Sequence, residues 1–493
     1  MNRTTFIYQL ETTPKFDLCI IGGGATGLGV AIDAASRGLK TVLFEQYDFA
    51  KGTSSRSTKL VHGGVRYLQQ GNIKLVMEAL KERGLLLQNA PHLVHNQKFV
   101  VPNYKWWEKP FYGIGLKIYD KMAGKLGLGP SVMLSKEETL ALAPTLDPED
   151  LRGGVLYHDG QFDDARLAIS LAQTAAAWGA VVLNYFSVAA LLKTGNRVCG
   201  VWVKDHFTGK EYEIQANVVI NATGVFTDSV MKMDDPGHES IISPSQGIHL
   251  VVDKTFLPGD TAIMIPRTDD GRVLFAVPWH DKIVLGTTDT PVEQINAEPR
   301  PLNEEVDFIL QHIGRYLSKD PQRKDVRSMF AGLRPLVKAK GKKTAALSRD
   351  HLITVSDTGL ITITGGKWTT YRHMAEDVVN FAAQKAGFHC GSCQTGSLKL
   401  AGHDQPVPPA SITSLDDNQL KGLIRKAVQE EMCMTVEDFL SRRTRQLLLD
   451  AETAIEKAPL AARMLAEESG KDETWVQEQI NIFKELAQQY LAH

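Results

Sequence analysis

Cysteine is scarce in this chain: Cys19, Cys199, Cys390, Cys393 and Cys433 are the only five among 493 residues. That density excludes a disulfide-built fold and fits a reducing compartment. Long hydrophobic runs are missing too. The best candidate, Leu18 to Ala35, is broken by five glycines and carries Asp33, so nothing offers the roughly 20 apolar residues of a spanning helix. Met1 to Lys15 is polar, without the apolar core of a signal peptide, which leads to an expected cytoplasmic location. Nor is one sign of charge in excess. Lys and Arg total 55 against 57 Asp and Glu, a net charge of −2, and no nucleic-acid partner is expected. Internal repeats and low-complexity stretches are absent.

What is present has the balance of a folded protein, 43% hydrophobic and 23% charged, with length for about two to four domains. Phe16 to Ile21 reads as a strand buried on both faces,. Gly22-Gly-Gly-Ala-Thr-Gly27 follows, then a small-residue helix from Leu28 to Arg37, then a second strand, Thr41 to Glu45. The glycines Gly22, Gly24 and Gly27 permit a tight turn and bring backbone N–H groups up to a pyrophosphate at the positive end of the helix. Glu45, 18 residues after Gly27, is placed to accept hydrogen bonds from ribose hydroxyls. A glycine triplet alone is common in ordinary loops. Strand, helix and carboxylate in register make it a dinucleotide site.

Two later segments read as strands of the same sheet: Asn217 to Gly224, ending Asn-Ala-Thr-Gly, and Gly359 to Gly366, leading into a helix from about Thr369. Such distant clasps suit one FAD better than NAD on a simple dehydrogenase sheet. The nucleotide fold is expected from residues 14–100, 150–245 and 350–390, with an antiparallel-sheet substrate domain mainly at 246–349. Together these make a core at 1–390, followed by a C-terminal helical domain at 391–493, in which Gln405 to Pro409 reads as a linker and Leu415 to His493 is almost all helix-forming residues.

Longer motifs carry a resemblance. Thr53-Ser-Ser-Arg-Ser-Thr-Lys-Leu-Val-His-Gly-Gly-Val-Arg-Tyr-Leu68, Asp163-Asp-Ala-Arg-Leu167, Gly286-Thr-Thr-Asp289, Gly332-Leu-Arg-Pro-Leu336, Ser348-Arg-Asp350, Gly365 to Arg372 and Ser441-Arg-Arg-Thr-Arg445 occur in order. From about Phe16 to the end, the chain resembles the FAD-dependent glycerol-3-phosphate dehydrogenases. The resemblance implies an α/β fold: a glutathione-reductase-like, D-amino-acid-oxidase-type FAD domain, an antiparallel substrate domain and a C-terminal helical cap. It implies FAD as cofactor and oxidation of glycerol 3-phosphate, with a quinone as electron acceptor. It further implies cofactor contacts at Thr53, Ser54, Ser55, Lys59, His62, Gly63, Thr223, Gly224, Gly366, Lys367 and Thr369, beside the glycine turn and Glu45.

A dianionic phosphate ester calls for Arg and Lys. Arg66, Arg334, Arg349 and Lys367 fall within the motifs, and the Tyr67 hydroxyl is a further donor. An arbitrary Arg is more often exposed or salt-bridged; position in the motifs favours a binding role for these. Removing hydride from carbon 2 also needs a base near neutral pKa. His249 matches the family's histidine, its bland reading being a satisfied strand histidine. Arg334 could instead stabilise alkoxide character, and the sequence leaves open which group takes the proton.

Two stretches invite sharper readings. Cys390-Gly-Ser-Cys393 has no second ligand pair nearby, so two thiols at a domain edge are expected, and no metal. Lys105 to Lys125 interleaves five lysines with Trp106, Trp107, Phe111, Tyr112 and Tyr119. That pattern suits a bilayer interface better than an ordinary packed helix, and with the family's monotopic members implies peripheral attachment to the inner face of the plasma membrane. The sequence leaves a homo-oligomer open. It also leaves two rivals, a same-fold oxidase using oxygen (on glycerol 3-phosphate, an amine or a hydroxy acid) and a flavin-binding protein without turnover.

Overall fold

The structure, a computed structural model, describes residues 1–64, 72–338 and 351–492. Arg66, Tyr67 and Arg349 lie outside the described residues. Phe16–Ile21 is buried at every position but Asp17, the pattern of an inner parallel strand. Its sheet runs His351–Val355, Ile361–Gly365, Glu211–Asn221, Phe16–Ile21, Thr41–Glu45, Val181–Asn184. The last five strands are mutually parallel, and the first is antiparallel to its neighbour. The helix Ala25–Ser36 opens straight from the glycine turn and packs on the helix Tyr371–Ala386. Contact is close at Gly29, where a Cβ would stand 2.9 Å from the Tyr371 ring.

The second sheet is larger. Its order is Thr290–Pro291, Ile242–Asp253, Lys282–Gly286, Leu274–Trp279, Thr261–Ile265, Val94–Asn103, Gly153–Phe162, Leu60–Val61, with Val326–Val337 also paired to Ile242–Asp253. The sequence division placed 94–100 and 150–162 with the nucleotide-binding pieces, yet hydrogen bonding puts Val94–Asn103 and Gly153–Phe162 in this sheet. Periodicity reports which faces of a strand are buried and not which strand it will pair with.

C-terminal helices Asp417–Glu431, Ala451–Ser469 and Glu473–Gln488 bury a Leu- and Ala-rich core that also takes in Val251, Trp279, Val284 and Phe330 of the second sheet. Thr435 caps its short helix with Asp438, as the spacing predicts. The helices are also tied to the strand Val326–Val337: Ser328 Oγ donates to the Leu447 carbonyl and the Met329 N–H to the Tyr490 carbonyl, both at 2.8 Å.

What couples this unit to the nucleotide sheet is a buried charge cluster. Asp48, just past Thr41–Glu45, accepts from Arg442 Nε (2.6 Å) and from Arg443 Nη1 and Nη2 (2.6 and 2.8 Å), and all three residues are buried. These two guanidiniums outweigh desolvation and hold the Asp48 carboxyl well below its usual range. A carboxyl depressed in the fold contributes stability above its unfolded pKa of about 3.9, and the contribution is lost as pH falls through the lower folded value. Asp48→Ala leaves buried arginines short of counter-charge, so it should destabilise by about 3–5 kcal/mol. Urea unfolding should show that deficit undiminished from neutral pH down to about pH 5 and shrinking only in stronger acid.

Candidate active site

The glycine turn opens one wall of a cavity of about 350 Å³. Gly22 has φ +110°, and a Cβ there would lie 2.8 Å from the Ala222 carbonyl oxygen. Only glycine lets the ends of two parallel strands approach so closely. Gly24 caps the helix Ala25–Ser36, whose first turn holds no acidic residue, so the helix's positive end is left for an external anion. Across the turn, Glu45 accepts from the Gly23 N–H at 2.7 Å and the Tyr47 N–H at 2.9 Å. A carboxylate can accept about four hydrogen bonds. Glu45 is therefore fixed by the backbone and keeps capacity for ribose hydroxyls, while burial pushes its pKa up. Thr53, Ser54, Thr223, Gly224, Gly366 and Lys367 complete this wall. A long cradle of glycine and small residues with one buried carboxylate fits an FAD pyrophosphate and ribose.

A second cavity, of about 290 Å³, adjoins it, and both are lined by Thr53, Pro335 and the turn Gly365–Gly366–Lys367–Trp368. His62, His249, Arg334 and Thr369 line the second cavity together with Thr58 and Arg56. His249 comes from Ile242–Asp253 and Arg334 from the paired strand Val326–Val337. Arg334 is aimed by its contacts: Nη1 donates to Asp289 Oδ1 (3.1 Å), Nη2 to Thr287 Oγ1 (3.2 Å) and the Thr288 carbonyl (2.9 Å). Ser245 hydrogen-bonds the same Asp289 carboxylate.

His249 is buried. Its Nε2 lies 2.9 Å from Thr58 Oγ1, its Nδ1 has no hydrogen-bond partner among the described residues, and its ring stacks on Phe330 at 5.0 Å. Desolvation first, then the charges of Lys59 and Arg334, hold its pKa well below 6.5. That shift favours the neutral imidazole, the form that can accept a proton,.

Gly27, Ser55, Lys59 and Gly63, grouped by the motifs with the cofactor contacts, line neither cavity. Gly27 packs under the Gly22 carbonyl. The Gly63 N–H donates to Tyr119 Oη at 2.8 Å. Lys59 donates to the Ser55 carbonyl and to Asp164. Their described contacts are with the protein itself. Thr369 Oγ1 takes the His62 N–H (3.2 Å), and Trp368 Nε1 donates to the Ser54 carbonyl (2.9 Å), so the two motif loops cross-brace each other. Thr58, Asp289, Asp164 and Phe330 carry structural roles that residue-by-residue reading did not assign. Three of them stand inside the quoted motifs, which was their one signal; Phe330 had none. Cys393 Sγ lies 3.1 Å from Thr395 Oγ1, and both thiols of the Cys-x-x-Cys are free and half-buried.

Comparison with known proteins agrees with this geometry. The profile of FAD dependent oxidoreductases matches residues 17–372, and that of the C-terminal domain of alpha-glycerophosphate oxidase matches 393–476. A mitochondrial glycerol-3-phosphate dehydrogenase of Macaca fascicularis is 40% identical over 98% of this chain and 75% of its own length. One from Schizosaccharomyces pombe is 37% identical over 96% of this chain and 87% of its own length. The crystal structure of glycerol-3-phosphate dehydrogenase from Bacillus halodurans, complexed with FAD, superposes with a TM-score of 0.81 at 31% identity, covering 99% of this chain and 97% of that one. An L-alpha-glycerophosphate oxidase from Mycoplasma pneumoniae, at 18% identity and TM-score 0.62 over 79% of this chain, shares the fold. With near-complete coverage by such relatives, and with both domains matched, the chain belongs to the FAD-dependent glycerol-3-phosphate dehydrogenase family.

Proposed function

We propose that this protein oxidises sn-glycerol 3-phosphate to dihydroxyacetone phosphate with FAD and passes the electrons to a quinone at a membrane surface. One observation carries the reading: His249 and Arg334 line a cavity that shares the Gly365–Lys367 turn with the nucleotide cavity. FAD, when bound, supplies the acceptor for the hydrogen of carbon 2 and its electron pair. His249 holds the proton leaving the adjacent hydroxyl, with Nε2 as the ring nitrogen beside the cavity-lining Thr58. Arg334, fixed by Asp289 and the Thr287–Thr288 corner, places a permanent positive charge where alkoxide character develops. Lys367 lines both cavities and serves the phosphate end. The motifs assign phosphate binding also to Arg66, Tyr67 and Arg349, which lie outside the described residues. The substrate and cofactor named for the relatives support this assignment.

Two features favour a quinone. Besides His249 and Arg334, the second cavity is lined by the largely apolar set Phe99, Tyr157, Met264, Val273 and Phe275. The helix Glu108–Ala123 packs through Tyr112 and Leu116 in one cluster with Phe99, Tyr157 and Met264 of that lining. Its opposite face is an exposed stripe, Trp107, Phe111, Ile114 and Ile118, headed by Trp106 at 78% exposure. Apolar side chains at i, i+4, i+7 and i+11 make a continuous helical face. Lys105, Lys109, Lys117, Lys121 and Lys125 accompany it. Among the described residues no helix is long and apolar enough to cross a membrane. The stripe instead suits shallow insertion, and its lysines suit the anionic inner leaflet of a plasma membrane.

Three measurements check these assignments. Gly24→Val puts branched carbons where a bare Cβ already lies 3.1 Å from Ser54 Oγ; the purified variant should lose most of its flavin absorbance, and full flavin content would refute the nucleotide site. Under anaerobic conditions glycerol 3-phosphate should bleach the oxidised flavin band. Bleaching by amino or hydroxy acids alone would identify a same-fold oxidase of another substrate, and no bleaching a protein without turnover. Finally, each lysine near anionic lipid contributes about 1 kcal/mol, weakened by salt. Replacing Trp106 and Trp107 by Ser should therefore abolish cosedimentation with anionic vesicles while flavin bleaching persists, and unchanged pelleting would make the stripe an ordinary helix face.

A further inference from the structure

Lys59 is a buried cation that neither the cofactor cradle nor the substrate site uses. Its side chain is wholly inaccessible, and its backbone takes φ +62°, a left-handed conformation uncommon for lysine,. Nζ donates to Asp164 Oδ1, Asp164 Oδ2 and the Ser55 carbonyl, each at 2.8 Å. An ammonium has three protons to give. All are committed, so Lys59 has none left for a flavin or a phosphate. Asp164 in turn accepts from the Ser57 N–H (3.1 Å) and Ser57 Oγ (2.7 Å). The pair is thus satisfied and locked at the root of the loop that carries Thr58.

The position of that charge is informative. Lys59 Nζ lies 4.9 Å from the Trp279 ring centroid and 5.1 Å from that of Phe330. Phe330 is the ring on which His249 stacks, at 5.0 Å and 22°. The residue before Lys59, Thr58, holds His249 Nε2. One residue pair therefore grips the imidazole from two sides, by a hydroxyl contact and by the aromatic shelf beneath which the ammonium is pinned. Among the described residues, Lys59 from this loop and Arg334 from the paired strand bear on His249, and Arg56, His62, Asp159 and Lys367 line the same cavity. The carboxylates nearby, Asp164 and Asp289, are engaged by those two cations.

We propose that Lys59 is a positioning residue of the active site, whose Asp164-locked ammonium seats the His249 ring through Thr58 and Phe330. Resting on the reading of His249 as proton acceptor, this gives the buried pair a task. A base that picked up a solvent proton before substrate arrived would be useless, and a fixed neighbouring cation prevents that without blocking the cavity. Burial lowers the pKa of Lys59 as well, with Asp164 opposing the shift.

The test uses the FAD-loaded protein and two readouts. In the first, the anaerobic rate of flavin bleaching by glycerol 3-phosphate is followed against pH. In the second, histidine labelled with 13C at Cε1 is titrated by NMR, His249 being assigned by its absence in His249→Asn; this readout needs no turnover. Lys59→Met should raise the pH at which His249 protonates by about one unit, a tenfold change in its proton affinity. The acid limb of the rate profile should rise with it, and Lys59→Arg should restore both. If Lys59→Met does not fold because Asp164 is left unpaired, the double variant Lys59→Met/Asp164→Asn removes both charges and should still shift His249 upward, since the Lys59 ammonium is the charge that lies against the Phe330 ring on which His249 stacks. An unshifted His249 resonance in either folded variant overturns the proposal. A shifted resonance with no bleaching in the unsubstituted protein would instead overturn the assigned activity and leave the proposal standing.

Discussion

Much of this architecture depends on a carboxylate that never meets water. Asp48 follows the second strand of the nucleotide sheet by three residues, and its oxygens are taken by Arg442, Arg443 and the Asn184 side chain. Removing such a group from water costs several kcal/mol per ion, recovered only when partners are complete and well oriented. Here they are complete only if the C-terminal unit docks on the sheet. Arg445 repeats the arrangement on Asp163, which caps the helix beginning at Asp164. The C-terminal unit therefore braces both the loop beside Glu45 and the helix that anchors Lys59.

The same bracing reaches the chemistry. Val326–Val337 supplies both Phe330, under the imidazole, and Arg334, beside it, and the Met329 N–H on that strand is bonded to Tyr490 near the chain's end. Two paired strands thus hold the base and the cation in fixed register, Ser245 opposite Arg334 and His249 opposite Phe330. Rigid elements rather than loops fix the spacing of these side chains, as preorganised electrostatic stabilisation requires.

The legible parts of the molecule were local ones. Gly22 to Glu45 reads as strand, turn, helix and strand because each feature depends on neighbours within about 30 residues, and all are present. The convergence of His249 and Arg334 could be inferred only through resemblance, since nothing near either residue indicates a shared strand pair. Least legible were the buried ion pairs. Lys59 and Asp164 are 105 residues apart, Asp48 and Arg442 394 apart, and charged residues read from sequence default to the surface. The N-terminal helix Arg3–Thr12 escaped for a related reason: its polar sequence gives little amphipathic signal, and it is held by Arg3 reaching Asp205 and Asn184.

The cross-brace between the motif loops has a consequence for how the protein is assembled. Trp368 ties to Ser54, Thr369 to His62 and Thr53 to the Leu333 carbonyl, so the walls of the nucleotide cavity are drawn from stretches spread over most of the chain and then fastened across it. A long ligand seated between such walls touches every one of them, and any free energy it gains there is available only once all are in place. Binding and folding are then one equilibrium, with the cofactor acting as a structural member whose concentration sets the stability of the whole. Scarcity of flavin in a cell would therefore cost this protein stability as well as activity.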